Sequence, residues 1–99
     1  MHAATLITEM EAPARDNFPR HFGEAVRAAR EALGISQEEL AARSKLHRTY
    51  VAGVERGIRN PSLNSIMKIA EGLGLPTSGL FRRMESAGKR NQIVGKMKA

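Results

Sequence analysis

An all-α bundle of five short helices is what this 99-residue sequence predicts, and three observations predict it. From position 18 onward apolar residues recur at spacings of three and four rather than two. Helix-capping residues interrupt them at short intervals, and no run of alternating strand formers intervenes. The length suits one compact domain, so the helices must share a single core.

The first helix is read from Phe18, Phe22, Val26, Ala29 and Leu33, with Pro19 in its first turn and Gly34 at its end. Ser36-Gln37-Glu38-Glu39 then has the form of a capping box. In it the Ser36 hydroxyl accepts from the Glu39 amide, and the Glu39 carboxylate reaches back to the Ser36 amide. Ile35 and Leu40 stand at the two positions of a hydrophobic staple. This second helix is expected to end near Ser44, and a third to run from about Arg48 to Arg56, burying Leu46, Val51 and Val54 and closing at Gly57. Arg59-Asn60-Pro61-Ser62 is a turn. Leu63, Ile66, Met67, Ile69, Ala70 and Leu73 mark a fourth helix closed by Gly74. Pro76 and Thr77 open a fifth that carries Leu80, Phe81 and Met84. The organisation expected is a flexible arm over 1–17, a folded domain over 18–84 and a basic flexible tail over 85–99. Gln92-Ile93-Val94 is an alternative short strand across a dimer.

Sixteen Lys and Arg against ten Asp and Glu give a net charge of +6, which points to a polyanionic partner. Cysteine is absent, so thiolate metal sites, disulfides and thiol nucleophiles are excluded. His2, His21 and His47 have no ligand-like spacing, so no metal or cofactor is expected, and no constellation of an enzyme is present. Gly72-Leu73-Gly74 lacks the preceding strand of a phosphate-cradling loop and reads as a helix end. With one Tyr, three Phe and no Trp, a base-stacking sheet is not available. No apolar run reaches the roughly 18–20 residues of a membrane helix, and Glu9, Glu11 and Asp16 do not suit a signal peptide. A cytoplasmic protein is expected.

Two short helices joined by about three residues, the second flanked by basic residues, have the geometry that lays a recognition helix in the DNA major groove. Three strings carry a more specific signal: Phe22 to Arg30 (FGEAVRAAR), Gly34 to Ala41 (GISQEELA) and Leu46 to Leu63 (LHRTYVAGVERGIRNPSL). Over about residues 20–82 the chain resembles the XRE family of helix-turn-helix regulators, the phage Cro and repressor type. The string RTYVAGVERG is similar to small controller proteins of restriction–modification systems. Ala41 fits this reading, because a larger side chain would push the second and third helices apart.

The resemblance implies a lambda-repressor-like fold in which Arg48, Thr49 and Tyr50 face DNA. Arg48 can make a bidentate contact to guanine, and the Thr49 methyl can meet that of thymine. For Tyr50, a half-buried packing role is an equal alternative. Ala52 shares the face but stands where the controller subgroup commonly has serine. The resemblance also implies that Gln37 clamps the DNA backbone at the start of its helix. Arg43, Lys45, Arg56, Arg59 and Asn60 flank the groove face as candidate phosphate contacts. Arg30 and Glu55 are expected to pair beneath the recognition helix as scaffold. Lys45 occupies a turn position that favours glycine, and a left-handed backbone there would cost roughly 1 kcal/mol.

Leu63, Met67, Leu73, Leu80, Phe81 and Met84 exceed what a three-helix reader needs, so part of this set is expected to form a twofold interface. The function expected is a dimeric, sequence-specific regulator of double-stranded DNA that blocks or recruits RNA polymerase at a palindromic operator, with no small-molecule effector. The alternative is an antitoxin or adaptor that works mainly through a protein partner.

Overall fold

The structure, a computed structural model, describes residues 2–98, with side chains described over 17–87. The elements are α1 (His2–Ala32), α2 (Gln37–Ser44), α3 (Arg48–Glu55), α4 (Leu63–Gly72) and α5 (Thr77–Lys98), and no strand occurs among the described residues.

All four helix ends from α1 to α4 close in the same way. The backbone turns left-handed at Gly34, Lys45, Gly57 and Gly74, with φ of 69°, 56°, 76° and 71°. At each of them the following amide donates back across the last turn: Ile35 to the Arg30 carbonyl, Leu46 to Ala41, Ile58 to Gly53 and Leu75 to Ala70. This is the Schellman arrangement, which satisfies carbonyls that the helix itself leaves free. Three of the positions hold glycine, which has no Cβ to crowd the carbonyl, and the fourth holds Lys45.

Helix starts are less uniform. The Ser36 hydroxyl accepts from the Glu39 amide at 3.0 Å, as the capping box requires. Its reciprocal half is replaced: the Glu39 carboxylate accepts from Arg43 Nε at 3.0 Å, one helical turn on. Ser62 caps α4 through the Ser65 amide, a role that the reading of 59–62 as a plain turn missed. His47 precedes α3 in extended conformation and makes no side-chain cap.

Phe22, Val26, Leu40, Val51, Val54, Ile69 and Leu80 are fully buried and form one core from all five helices. Each contributes on the order of 1.5–3 kcal/mol relative to exposure. Phe18 stacks on Phe22 with ring centroids 5.7 Å apart, and Phe81 meets both at 6.4 and 6.2 Å, so an aromatic trio ties α5 to α1. Leu33, placed on the buried stripe by its spacing, instead lies beyond the end of α1 and is half exposed.

Two helix crossings depend on missing side chains. A Cβ on Gly23 would overlap the carbonyl oxygen of Val54 and stand 2.8 Å from that of Glu55, so α1 lies directly on the α3 backbone. A Cβ on Gly72 would overlap Ser44 Oγ and stand 3.2 Å from Leu40, so α4 lies equally close to α2. Gly72 is therefore inside a helix, and the helix end belongs to Gly74 alone.

The termini depart from the expected arm and tail. α1 begins at His2 and runs through Pro13 and Pro19, and α5 continues to Lys98, so 2–17 and 85–98 are helical rather than irregular, and Gln92-Ile93-Val94 lie in a helix rather than a strand. Lys89, Arg90, Gln92 and Lys96 in the tail are strong helix formers that continue an already nucleated helix.

Candidate nucleic-acid interface

α3 has one open face. At about 100° per residue, Arg48, Thr49, Ala52 and Arg56 fall within an arc of about 100°. Arg48, Thr49 and Arg56 are exposed and Ala52 is half-buried, whereas Val51 and Val54 on the opposite side are fully buried. The turn over 45–47 brings the start of α3 beside the first turn of α2, where Glu38 lies 3.6 Å from Arg48.

A polar junction beneath α3 fixes its orientation. Arg30 on α1 donates from Nε to Glu55 Oε2 at 2.7 Å and from Nη2 to Oε1 at 3.1 Å, a fork-on-fork pair, while its Nη1 donates to the Ile35 carbonyl at 2.8 Å. Gln37 Nε2 donates to Glu55 Oε1 at 3.0 Å. One carboxylate with only 2% of its side chain exposed therefore joins α1, α2 and α3. The hydrogen bonds to Glu55, ahead of a partial burial that acts the other way, raise the pKa of Arg30 above its already high usual value. Arg30 and Glu55 are brought together as the sequence reading expected. Gln37 is used differently: one amide hydrogen is committed to the scaffold, which leaves the other and the amide oxygen for anything outside.

Tyr50 occupies the flank of the open face rather than its middle. It is half-buried against the core, and the Arg59 guanidinium lies 5.8 Å from its ring centroid. A Cβ on Gly53 would stand 2.7 Å from Arg59 Cγ, so the Arg59 stem runs across α3 where glycine leaves room. Of the two alternatives for Tyr50, the packed position is the one that the geometry shows. Lys45, Arg56, Arg59 and Asn60 are exposed around the face. Arg43 is exposed too but bonded to Glu39, and Arg48 lies 3.6 Å from Glu38. The sequence assigns Glu38 no role, because its nearness to the start of α3 exists only in the folded arrangement of α2 and α3.

The six residues proposed for a twofold interface divide. Leu73 and Leu80 are buried inside the protomer, Leu80 completely, so they belong to its own core and cannot meet a second copy. Phe81 and Met84 are partly buried against that core. Only Leu63 and Met67, one turn apart on α4, remain open, at 67% and 53% exposure, and Ile58 is the further exposed apolar residue nearest to them in sequence. On α4 the expected set separated the open Leu63 and Met67 from the buried Ile66 and Ile69, and misplaced only Leu73, which closes the helix against the core. Among the described residues no cluster of three potential metal ligands occurs, and no helix is long and apolar enough to cross a membrane.

Comparison with known proteins bears on the whole of this assembly. A family profile described as helix-turn-helix matches residues 26–80. The chain is 47% identical over 61 residues to control protein C.BamHI of Bacillus amyloliquefaciens, covering 61% of this chain and 75% of that one. Among solved structures, the restriction-modification controller protein C.AhdI from Aeromonas hydrophila is similar with a TM-score of 0.61 and 48% identity, over 63% of this chain and 94% of that one. The wild-type restriction-modification controller protein C.Esp1396I gives a TM-score of 0.65 at 31% identity, over 69% and 87%. The matched segment spans α2, the turn and α3, with the α1 and α4 surfaces that hold them, and the chain accordingly belongs to the XRE-type helix-turn-helix family of DNA-binding transcriptional regulators, which are not enzymes.

Proposed function

We propose that this protein occupies a palindromic operator as a homodimer and controls a restriction–modification system, as the names of its relatives suggest. The observation that carries the reading is the open arc of Arg48, Thr49, Ala52 and Arg56 on a helix whose other faces are locked by Val51, Val54 and the Arg30–Glu55 pair. Readout needs such rigidity, because a base contact made by a loosely held helix discriminates poorly.

Arg48 and Thr49 contact base edges in this reading, and Ala52 offers a thymine methyl an apolar surface. Gln37, Lys45, Arg56, Arg59 and Asn60 contact phosphates. Tyr50 supports Arg59 and directs its hydroxyl to the backbone, and Arg43 contributes through its charge. Residues 18–84 form the reading unit, and the basic residues of the α5 extension add sequence-independent attraction. Leu63 and Met67 supply the apolar centre of the twofold contact, which would set two α3 helices about 34 Å apart. The protein then acts in the cytoplasm by blocking or recruiting RNA polymerase, and its own concentration rather than a small-molecule effector sets occupancy.

Selection of duplexes from a random pool at moderate salt tests this. An enriched palindrome with half-sites one helical turn apart is the expected result, and a pool that stays unenriched overturns it. In the enriched site, Arg48→Ala relaxes one position per half-site at a cost of about 1–3 kcal/mol, whereas Arg59→Ala weakens all sequences alike.

A further inference from the structure

The first turn of α2 places a carboxylate beside the residue that begins α3. Glu38 Oε1 lies 3.6 Å from Arg48 Nε, with 71% and 64% of the two side chains exposed. On the free protein this pair is screened by water and contributes little to folding. An acidic residue suits the first turn of α2, where it meets the positive end of the helix, but on the rim of a surface meant for a polyanion it repels every phosphate it approaches, so general affinity gains nothing from it.

The contact involves a particular edge of the guanidinium. The guanidinium nitrogen nearest Glu38 is Nε, so a contact at this edge leaves the two terminal nitrogens as a fork that Glu38 does not occupy. A terminal fork is what guanine O6 and N7 accept in bidentate fashion, and an arginine free to rotate can instead turn either edge to a phosphate. Resting on the operator-reading role of Arg48 given above, we propose that Glu38 is a specificity-determining residue: it holds the Arg48 guanidinium with its terminal fork toward the base and away from the phosphates. Closure of the groove excludes water, and the pair strengthens when the arginine is in use.

Selection from random duplexes with wild type, Glu38→Gln, Arg48→Ala and the double variant tests the proposal, with melting temperature as a control on folding. Glu38→Gln stays folded with at most a few degrees' loss of melting temperature, binds random-sequence DNA more tightly, and loses about tenfold of the preference at the position read by Arg48 while other positions keep theirs. In the Arg48→Ala background it changes no base preference. A wild-type protein that enriches no site overturns the operator reading itself. A wild-type preference that Glu38→Gln leaves intact, or an effect equal at all positions, overturns the role of Glu38 alone.

Discussion

Lys45→Gly should leave the fold more stable than Lys45→Ala does, close to wild type, and weaken its hold on DNA. Lys45 sits at φ 56° and ψ 40°, the left-handed region in which an L side chain costs roughly 1–2 kcal/mol. The helix end requires this conformation, because the Leu46 amide reaches the Ala41 carbonyl at 3.0 Å only if the chain turns left there. Against the relief stand the larger backbone entropy that glycine loses on folding, roughly 0.5–1 kcal/mol, and the loss of a cation near the end of α2, roughly 0.3–1 kcal/mol. At their midpoints these terms nearly cancel, so Lys45→Gly should match wild type to within about 0.5 kcal/mol. Lys45→Ala removes the same charge but keeps the strain, so Lys45→Gly should exceed it by about 1 kcal/mol, or roughly 4–8 °C in melting temperature for a domain of this size. Thermal or urea unfolding of the three proteins measures this. Lys45→Gly melting at or below Lys45→Ala would refute the strain argument. On DNA, both substitutions should lower the salt slope by about 0.9 if Lys45 meets a phosphate.

Three further substitutions probe the scaffold. Arg30→Ala leaves the buried Glu55 carboxylate with Gln37 alone and should cost about 3–5 kcal/mol, while replacing both ion-pair partners by Met and Leu should cost much less than the two single losses together, as a double-mutant cycle in urea would show. Ser44 Oγ is buried without a hydrogen-bond partner, so Ser44→Ala should stabilise by about 1 kcal/mol, and a lower unfolding midpoint would count against an unsatisfied hydroxyl there. Gly23→Ala forces a methyl into the Val54 and Glu55 carbonyls and should cost about 3 kcal/mol or more, visible as a large loss of melting temperature or of folded protein in circular dichroism.

The sequence was most legible where one local rule determined the outcome. Ser36 and the left-handed positions at Gly34, Lys45, Gly57 and Gly74 follow from capping chemistry that acts within a few residues, so the bounds of α2 and α3 could be read closely. Periodicity failed where two faces of one helix are apolar. On α4 the interface set rightly took in Met67, which is open, and left out Ile69, which is buried, but it also took in Leu73, and on α5 it offered Leu80 to a partner although the core already held both. Close approach was harder still. Ala41 drew notice as a small residue between helices, yet the tightest crossings lie at Gly23 and Gly72, and a glycine in a helical pattern reads equally well as a helix end until the neighbouring backbone is known. The interface shows the same division. Arg48 is visible as a basic residue at a helix start, but its relation to Glu38, ten positions earlier and across a turn, exists only once α2 and α3 are set at their angle. That angle depends on Gly23, Glu55 and Arg30, none of which lies on the exposed arc. Specificity in this domain is therefore a property of its buried crossings as much as of its exposed arc, and substitutions at Gly23 or Arg30 that still fold should blur base preference without removing a single contact.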